Sequence, residues 1–272
     1  MPSDVAVVIT FYRNDAHFPA ALASVLAQTH PAHEIVVVDD ASPAGSATTL
    51  VGLDPRVRVL RLAENGGPGA ARQAGSEATT ACWIAYLDGD DLWQPEKLAR
   101  QLAFAADHPD HSVIHCALTE FRPDGRERVF DRKPEQLSLA EELRTHHLMP
   151  SSLLLRRDAL KAIGGWHRGR ALVQDHDLGI RLLLSGAKVG FVKTPLVRFR
   201  RFDHGNLSSR RWWQMRRNLA VIQRHRRTYL ATLGVRGTLA CCGRAIAELG
   251  RNPGTVGRMA RVLGWTLGYR GA

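Results

Sequence analysis

Three aspartates close an apolar run: residues 83–93 read WIAYLDGDDLW, with Asp88, Asp90 and Asp91 gathered around one glycine. Carboxylates held this close repel one another, and each raises its neighbours' pKa. A divalent cation would offset the repulsion directly, since Mg²⁺ and Mn²⁺ prefer hard oxygen ligands. A plainer reading also fits the stretch: an Asp/Gly turn in which Asp caps the next helix and Gly takes a positive φ. Similar residues mark other element ends. Thr10, Phe11 and Tyr12 follow VAVVI, Asp39 and Asp40 close HEIVVVDD, and Asp175 and Asp177 open the helix-like QDHDLGIRLLLSG.

Bringing these residues together takes a particular architecture. VAVVIT (5–10), HEIVVVDD (33–40), RVRVLRLA (56–63) and CWIAYLD (82–88) read as strands, and residues 15–28, 67–78 and 95–106 as helices between and after them. Near-continuous apolar strands separated by helices predict a largely parallel sheet covered on both faces. Ligands of such sheets collect beyond the carboxyl ends of the strands, where Thr10, Phe11, Tyr12, Asp39, Asp40, Asp88, Asp90 and Asp91 fall. That convergence favours a binding site over three unrelated turns. Downstream, 112–121 and 151–157 read as strands, 158–165 and 174–186 as helices, and KVGFVKTPLVRFRR (188–201) as a bent strand pair broken at Pro195.

The 272 residues, 44% apolar and 23% charged, suit one large globular domain with or without an appendage. No uninterrupted apolar run reaches the ~18 residues of a membrane span, and the N-terminus lacks a secretion-signal pattern, so a cytoplasmic protein is expected. Cys82, Cys116, Cys241 and Cys242 show no zinc-type spacing and read as free thiols. The net charge of +11 belongs to one end: residues 206–272 hold thirteen arginines, no lysine and a single acid, Glu248. There Trp212, Met215, Leu219, Ile222, Tyr229 and Leu233 recur at three- and four-residue steps among arginines, the pattern of an amphipathic helix over 210–233. GTLACCGRAIAELG and TVGRMARVLGWTLGYRG add two shorter helices. The stripe could pack back on the domain, but arginines bordering Trp also suit an anionic bilayer, and peripheral membrane contact is the expectation. Nucleic-acid binding by the tail is the least favoured reading.

The first strand ends in TFYRND, without the glycines that a dinucleotide fold, a phosphate loop or a sugar nucleotidyltransferase requires. Taken in order, VVITFYRN, VVVDDASP, NGGPGAARQAG, YLDGDDLWQP and QDHDLGIR resemble the motifs of the family 2 glycosyltransferases of the GT-A fold, over about residues 4–208. The resemblance implies an α/β, Rossmann-like, mostly parallel sheet flanked by helices. It divides the chain into a transferase domain over 1–205, with a nucleotide-sugar half (1–110) and an acceptor half (111–205), and a basic helical tail over 206–272. It implies inverting, metal-dependent transfer of a sugar from a nucleoside-diphosphate donor, UDP-linked, to a hydroxyl of a lipid-linked or surface glycan. Thr10, Phe11 and Tyr12 would line the nucleoside, Asp39 and Asp40 would hold the base or ribose, and Arg72 and Asp88 would reach the nucleotide and its ribose. Asp90 would bind Mn²⁺ or Mg²⁺, with His204 as a further metal or phosphate contact. Asp175 would be the catalytic base, and Gly165 and Trp166 would face the acceptor. Gln73 and Gln174 stand where Asn and Glu are usual. Ser208 occupies the position of the Gln in the Q-x-x-R-W of processive members, so a single addition is expected. A nucleotidyltransferase is the alternative enzyme.

Overall fold

The computed structural model describes residues 4–43, 54–201 and 211–247. Its first half runs β1 (Val5–Phe11), α1 (Phe18–Leu26), β2 (Glu34–Asp39), β3 (Val57–Arg61), α2 (Pro68–Glu77) and β4 (Trp83–Asp88). β1 pairs in parallel with both β2 and β4, and β2 with β3. The register sets Thr10 beside Asp88 and Phe11 beside Asp39, so the strand-end residues meet at one edge. β1, β2 and β4 are near-continuously apolar between their ends because both faces are covered, whereas the edge strand β3 alternates with arginines. Val5, Val7, Ile9 and Phe11 face one core layer with Phe18, Leu22 and Val25 of α1; Val8, Val36 and Val38 face the other with Ala71 of α2. α2 lies close on the sheet through Gly75, where a Cβ would come 2.4 Å from Val8 Cγ1.

The second half comprises β5 (Leu92–Trp93), α3 (Lys97–Asp107), β6 (His111–Phe121), β7 (Glu127–Phe130), α4 (Leu139–Arg144), β8 (Leu154–Arg156), α5 (Arg157–Ala162), α6 (Gln174–Leu184) and β9 (Lys188–Arg200). The sheet order is β3-β2-β1-β4-β8-β6-β9-β5, with β7 on β6. Here the sheet is mixed: β8 runs antiparallel to β4 and β6, whereas β9 is parallel to β6. Two expectations are corrected. Residues Pro150–Ser152 form a 3₁₀ turn, leaving only Leu154–Arg156 as strand, because Ser151 turns in toward the acids. Residues 188–200 form one strand, not a pair; the register against β6 slips at Ala117↔Pro195, and at such an irregularity a proline costs no ladder hydrogen bond.

The tail forms α7 (Arg211–Arg224) and α8 (Arg226–Ala247), the latter kinked at Gly234 with φ 66°. The amphipathic stripe packs back on the domain. Ile222 and Tyr229, with Val221 and Cys241, are buried against Leu143 of α4, Leu172 and Val173 just before α6, and Ile180 of α6, while Trp212 stays 58% exposed. Asp177, wholly buried in α6, fastens the contact by accepting from Arg181 Nε (2.8 Å) and His225 Nε2 (2.8 Å) and pairing with Arg224 Nε (3.1 Å). Residues 237–247 are helical as the end of α8; 255–271 lie outside the described residues. No described helix is long and apolar enough to cross a membrane, and the four cysteines are free.

Candidate active site

The edge formed by the ends of β1, β2 and β4 is built from short-range constraints. Arg13 and Ala41, just beyond β1 and β2, both hold positive φ (51° and 54°), a conformation costly for residues with a Cβ and concentrated at functional sites. Gly89 is required between the acids, since a Cβ there would lie 2.6 Å from the Thr10 carbonyl oxygen. Thr10 Oγ1 donates to Asp88 Oδ1 at 3.1 Å, and Arg72 reaches the same oxygen at 2.5 Å. The Arg72 guanidinium rests over the Trp166 ring, 5.0 Å from its centroid.

The three acids of the β4 end differ in their company. Asp88 is paired by Arg72 and Thr10. Asp91 is buried and accepts from Ser151 Oγ (2.6 Å) and the Arg200 amide (2.9 Å). Burial first, then the charges of Asp90 and Asp88, hold Asp91 well above the usual carboxylate range. The Asp90 side chain has no hydrogen-bond donor from another described side chain, and burial together with the charge of Asp88 pushes it up to about 6, against the opposing pull of Arg200 and Arg72. Among the described residues no three His, Cys, Asp or Glu side chains form a preformed cage. The residues do fit a Mg²⁺ or Mn²⁺ held through Asp90, since such ions commonly take one or two protein carboxylates and complete their shell with phosphate and water. His204 lies outside the described residues.

The remaining expected nucleotide contacts are placed unequally. Tyr12 is exposed beside the Arg13 guanidinium. Asp39 accepts from the Ser42 amide and pairs with Arg61, and Asp40 accepts from the Gly66 and Gly67 amides, each at 2.8 Å. Asp39 is a correction: it is wholly buried, with one oxygen on the Ser42 amide and the other on Arg61, so its side chain braces the edge and presents no surface to a nucleotide. Phe11 is a correction: its ring is 2% exposed and packs edge-on against Phe18, so its side chain belongs to the core. Trp166 is corrected likewise, being 2% exposed behind Arg72 and edge-on to Tyr86; with its ring buried it offers an acceptor no surface. Gly165 (φ 80°) sits against Gln73, whose Oε1 accepts from the Trp166 amide at 2.6 Å. Gln73 thus serves the turn under Arg72.

Asp175 reaches the same region from α6. Gly69 and Arg72 share a face of α2, and a Cβ on Gly69 would come 2.7 Å from Gln174 Cδ, so the starts of α2 and α6 touch. Gln174 also donates to the Gly169 carbonyl at 2.9 Å, tying down the loop before α6. Asp175 Oδ1 accepts from the His176 amide (3.1 Å), Oδ2 lies 3.3 Å from His146 Nε2, and the side chain is 20% exposed. Burial acts to raise its pKa, yet the charge of the adjacent His146, the field of Arg72 and the His176 amide together carry it well below the usual carboxylate range. Sequence reasoning missed His146, Ser151 and Arg217. Arg217 of α7 is buried, donates to the Leu172 carbonyl at 2.7 Å and stacks on Trp213. The adjacent His146 and His147 after a capped helix were the available signal for the first; nothing in the Arg-rich stripe singles out Arg217.

The glycosyl transferase family 2 model matches residues 6–164, more than half of the chain. The chain belongs to glycosyl transferase family 2. Within it, the chain is 26% identical over 251 residues to the amylovoran biosynthesis glycosyltransferase AmsE of Erwinia amylovora, covering 90% of this chain and 93% of that one. It is 34% identical over 157 residues to the succinoglycan biosynthesis protein ExoO of Rhizobium meliloti, covering 57% of this chain but 44% of that protein. The match thus spans less than half the length of that relative. Among solved structures, S. aureus TarS 1-349 in complex with UDP-GlcNAc shares the fold with a TM-score of 0.67 at 18% identity, over 97% of this chain and 89% of that one. The mannosyltransferase PcManGT of Pyrobaculum calidifontis, in complex with GDP-Man and Mn²⁺, does so at 0.61 and 16%, over 97% and 79%. Both likenesses concern the GT-A architecture.

Proposed function

We propose that this family 2 protein is an inverting, metal-dependent glycosyltransferase that moves a single sugar from a UDP-linked donor to a hydroxyl of a lipid-linked or surface glycan. The observation carrying this reading is the position of Arg72, paired with Asp88 at the donor edge while its field also bears on Asp175. One cation thereby joins the acids that suit a nucleotide to the carboxylate that suits a base. Thr10, Tyr12 and Asp40 surround the nucleoside, and Asp88 faces its ribose. A divalent ion held by Asp90 would supply Lewis-acid charge to the departing diphosphate. As the acceptor oxygen bonds to the anomeric carbon, that carbon's bond to the diphosphate oxygen breaks with its electron pair, and the hydroxyl proton passes to Asp175. One displacement inverts the centre.

AmsE and ExoO, named for amylovoran and succinoglycan biosynthesis, support a glycan product, and the nucleotide sugars bound to TarS and PcManGT support the donor class. The tail supports a place of action at the inner face of the cell membrane. Its buried stripe is spent on the domain, but Trp212, Leu230, Val235 and Leu239 remain exposed on a segment, 211–247, that contains eight arginines and no acid. The test is a panel of UDP-glucose, UDP-GlcNAc, UDP-galactose and GDP-mannose incubated with Mn²⁺. The expected result is slow release of UDP and free sugar of inverted configuration from one UDP-linked donor. Release of pyrophosphate from UTP and a sugar 1-phosphate, with no turnover of the panel, would instead transfer the chain to the nucleotidyltransferases.

A further inference from the structure

Asp175 has an unusual neighbour for a catalytic base. His146 follows α4, whose start is fixed by a capping box between Ser138 and Glu141. His146 Nε2 lies between two groups that can only accept, Asp175 Oδ2 at 3.3 Å and the Leu148 carbonyl at 3.2 Å. Nε2 therefore carries a proton in either charge state, and Nδ1 is the nitrogen that titrates. The ring lies against that of His176, with centroids 5.6 Å apart, and His176 Nε2 in turn donates to the Glu142 carbonyl at 2.9 Å. Glu142 is wholly buried behind the pair, accepting from the His147 amide at Oε2. It fits only because α6 carries Gly179 opposite, where a Cβ would stand 2.6 Å from Glu142 Oε1. Two elements are thus shaped to hold this imidazole against Asp175.

We propose that His146 is the positioning residue of the base: its imidazolium, fixed by Nε2–H donation to the Leu148 carbonyl, stands 3.3 Å from Asp175 Oδ2 and keeps that carboxylate oriented for the acceptor hydroxyl. This rests on the transferase reading above. The charged and titratable groups around the pair are Glu142 on α4, Lys133 and His147 on the flanking loops, His176 on α6, Arg72 on α2 and Arg217 on α7. Burial opposes protonation of His146, but Asp175, Glu142 and the Leu148 carbonyl prevail and raise it to about 9. The pair is therefore ionised at neutral pH. During transfer Asp175 takes the acceptor proton while Nε2 keeps its own.

Two measurements on the full chain test this. Imidazole ¹⁵N NMR follows His146 without any donor: it should remain protonated to about pH 9 in the wild type, and its midpoint should fall by more than ~1 pH unit in Asp175→Asn. An unmoved midpoint overturns the pairing. Kinetics on whichever donor of the panel turns over form the second arm. His146→Gln keeps a donor and removes the charge, so Asp175, still buried, should give kcat a new acid limb above ~pH 4. His146→Phe removes both and should lower kcat ~10-fold or more with the donor KM unchanged. Superimposable pH profiles for wild type and His146→Gln would show a merely structural histidine and overturn the proposal, even if His146→Phe fails to fold. NMR coupling without turnover of any donor would support the pairing and count against the transferase reading.

Discussion

Asp90 and Asp175 are both aspartates at the ends of elements that meet Arg72, and their surroundings pull them in opposite directions. Asp90 sits among acids with no donor from another described side chain, raised by burial and by Asp88. Asp175 is raised by burial too, but His146, Arg72 and a backbone amide outweigh that burial. The contrast suits the two tasks proposed for them. A carboxylate left in partly compensated repulsion suits a cation that arrives with the substrate, whereas one already compensated stays ionised and open to a proton. Replacing each in turn is the strongest test. Asp90→Ala and Asp175→Asn should each reduce transfer by ~10³-fold. Only the first should weaken binding of UDP with Mn²⁺ in calorimetry. Equal loss of nucleotide affinity in both variants would erase the distinction.

The two edges also differ in what holds them. The proposed donor edge is anchored by the parallel core strands, whereas the proposed base rides on α6, which the tail clamps through Asp177. Asp177→Ala would leave Arg181, Arg224 and His225 facing a vacated buried site and should cost about 3 kcal/mol in urea unfolding. Transfer should fall with it, because Asp175 lies half a turn away. Binding of UDP and Mn²⁺ at the Asp90 edge should persist below the unfolding transition. A loss of nucleotide binding in the folded variant would mean that the edges are not separately supported.

The same contrast explains what could be read from the sequence. The donor edge was legible because it depends on where apolar runs stop, and parallel pairing brings all such stops to one side. Even there, the two-residue period of a strand already placed Phe11 with Val5, Val7 and Ile9 on the core face, a signal the family resemblance obscured. The base edge was legible only at Asp175. Its pairing with His146 crosses 29 positions of sequence and arises from α4 packing on α6, for which no periodicity exists. The glycine turn at 163–166 was visible, but not that the Trp166 ring folds under Arg72. The amphipathic stripe of α7 and α8 was equally clear, yet an apolar face carries the same pattern whether it meets a bilayer or Tyr229's neighbours in the domain.

The mildest test follows the proton on Asp90. In the unfolded chain this carboxyl has its ordinary value of 3.8, and in the fold about 6. Between those values the folded state retains a proton that the unfolded chain has released, so without metal the stability contributed by this group is lost as pH rises from about 4 to 6. Asp91, shifted the same way by burial, adds to the slope but is untouched by substitution at Asp90. Mn²⁺ needs the deprotonated carboxylate, so its affinity should rise up to ~10-fold per pH unit below 6 and level off above. The gain in Tm from a fixed Mn²⁺ concentration with UDP should therefore grow between pH 5 and 7. In Asp90→Asn that gain should vanish, while the metal-free protein at pH 7 should melt higher than the wild type, because the neutral amide relieves the repulsion that the ion is proposed to relieve. A lower metal-free Tm for Asp90→Asn would mean that Asp90 is already compensated in the fold, and the contrast with Asp175 would fail at its donor end.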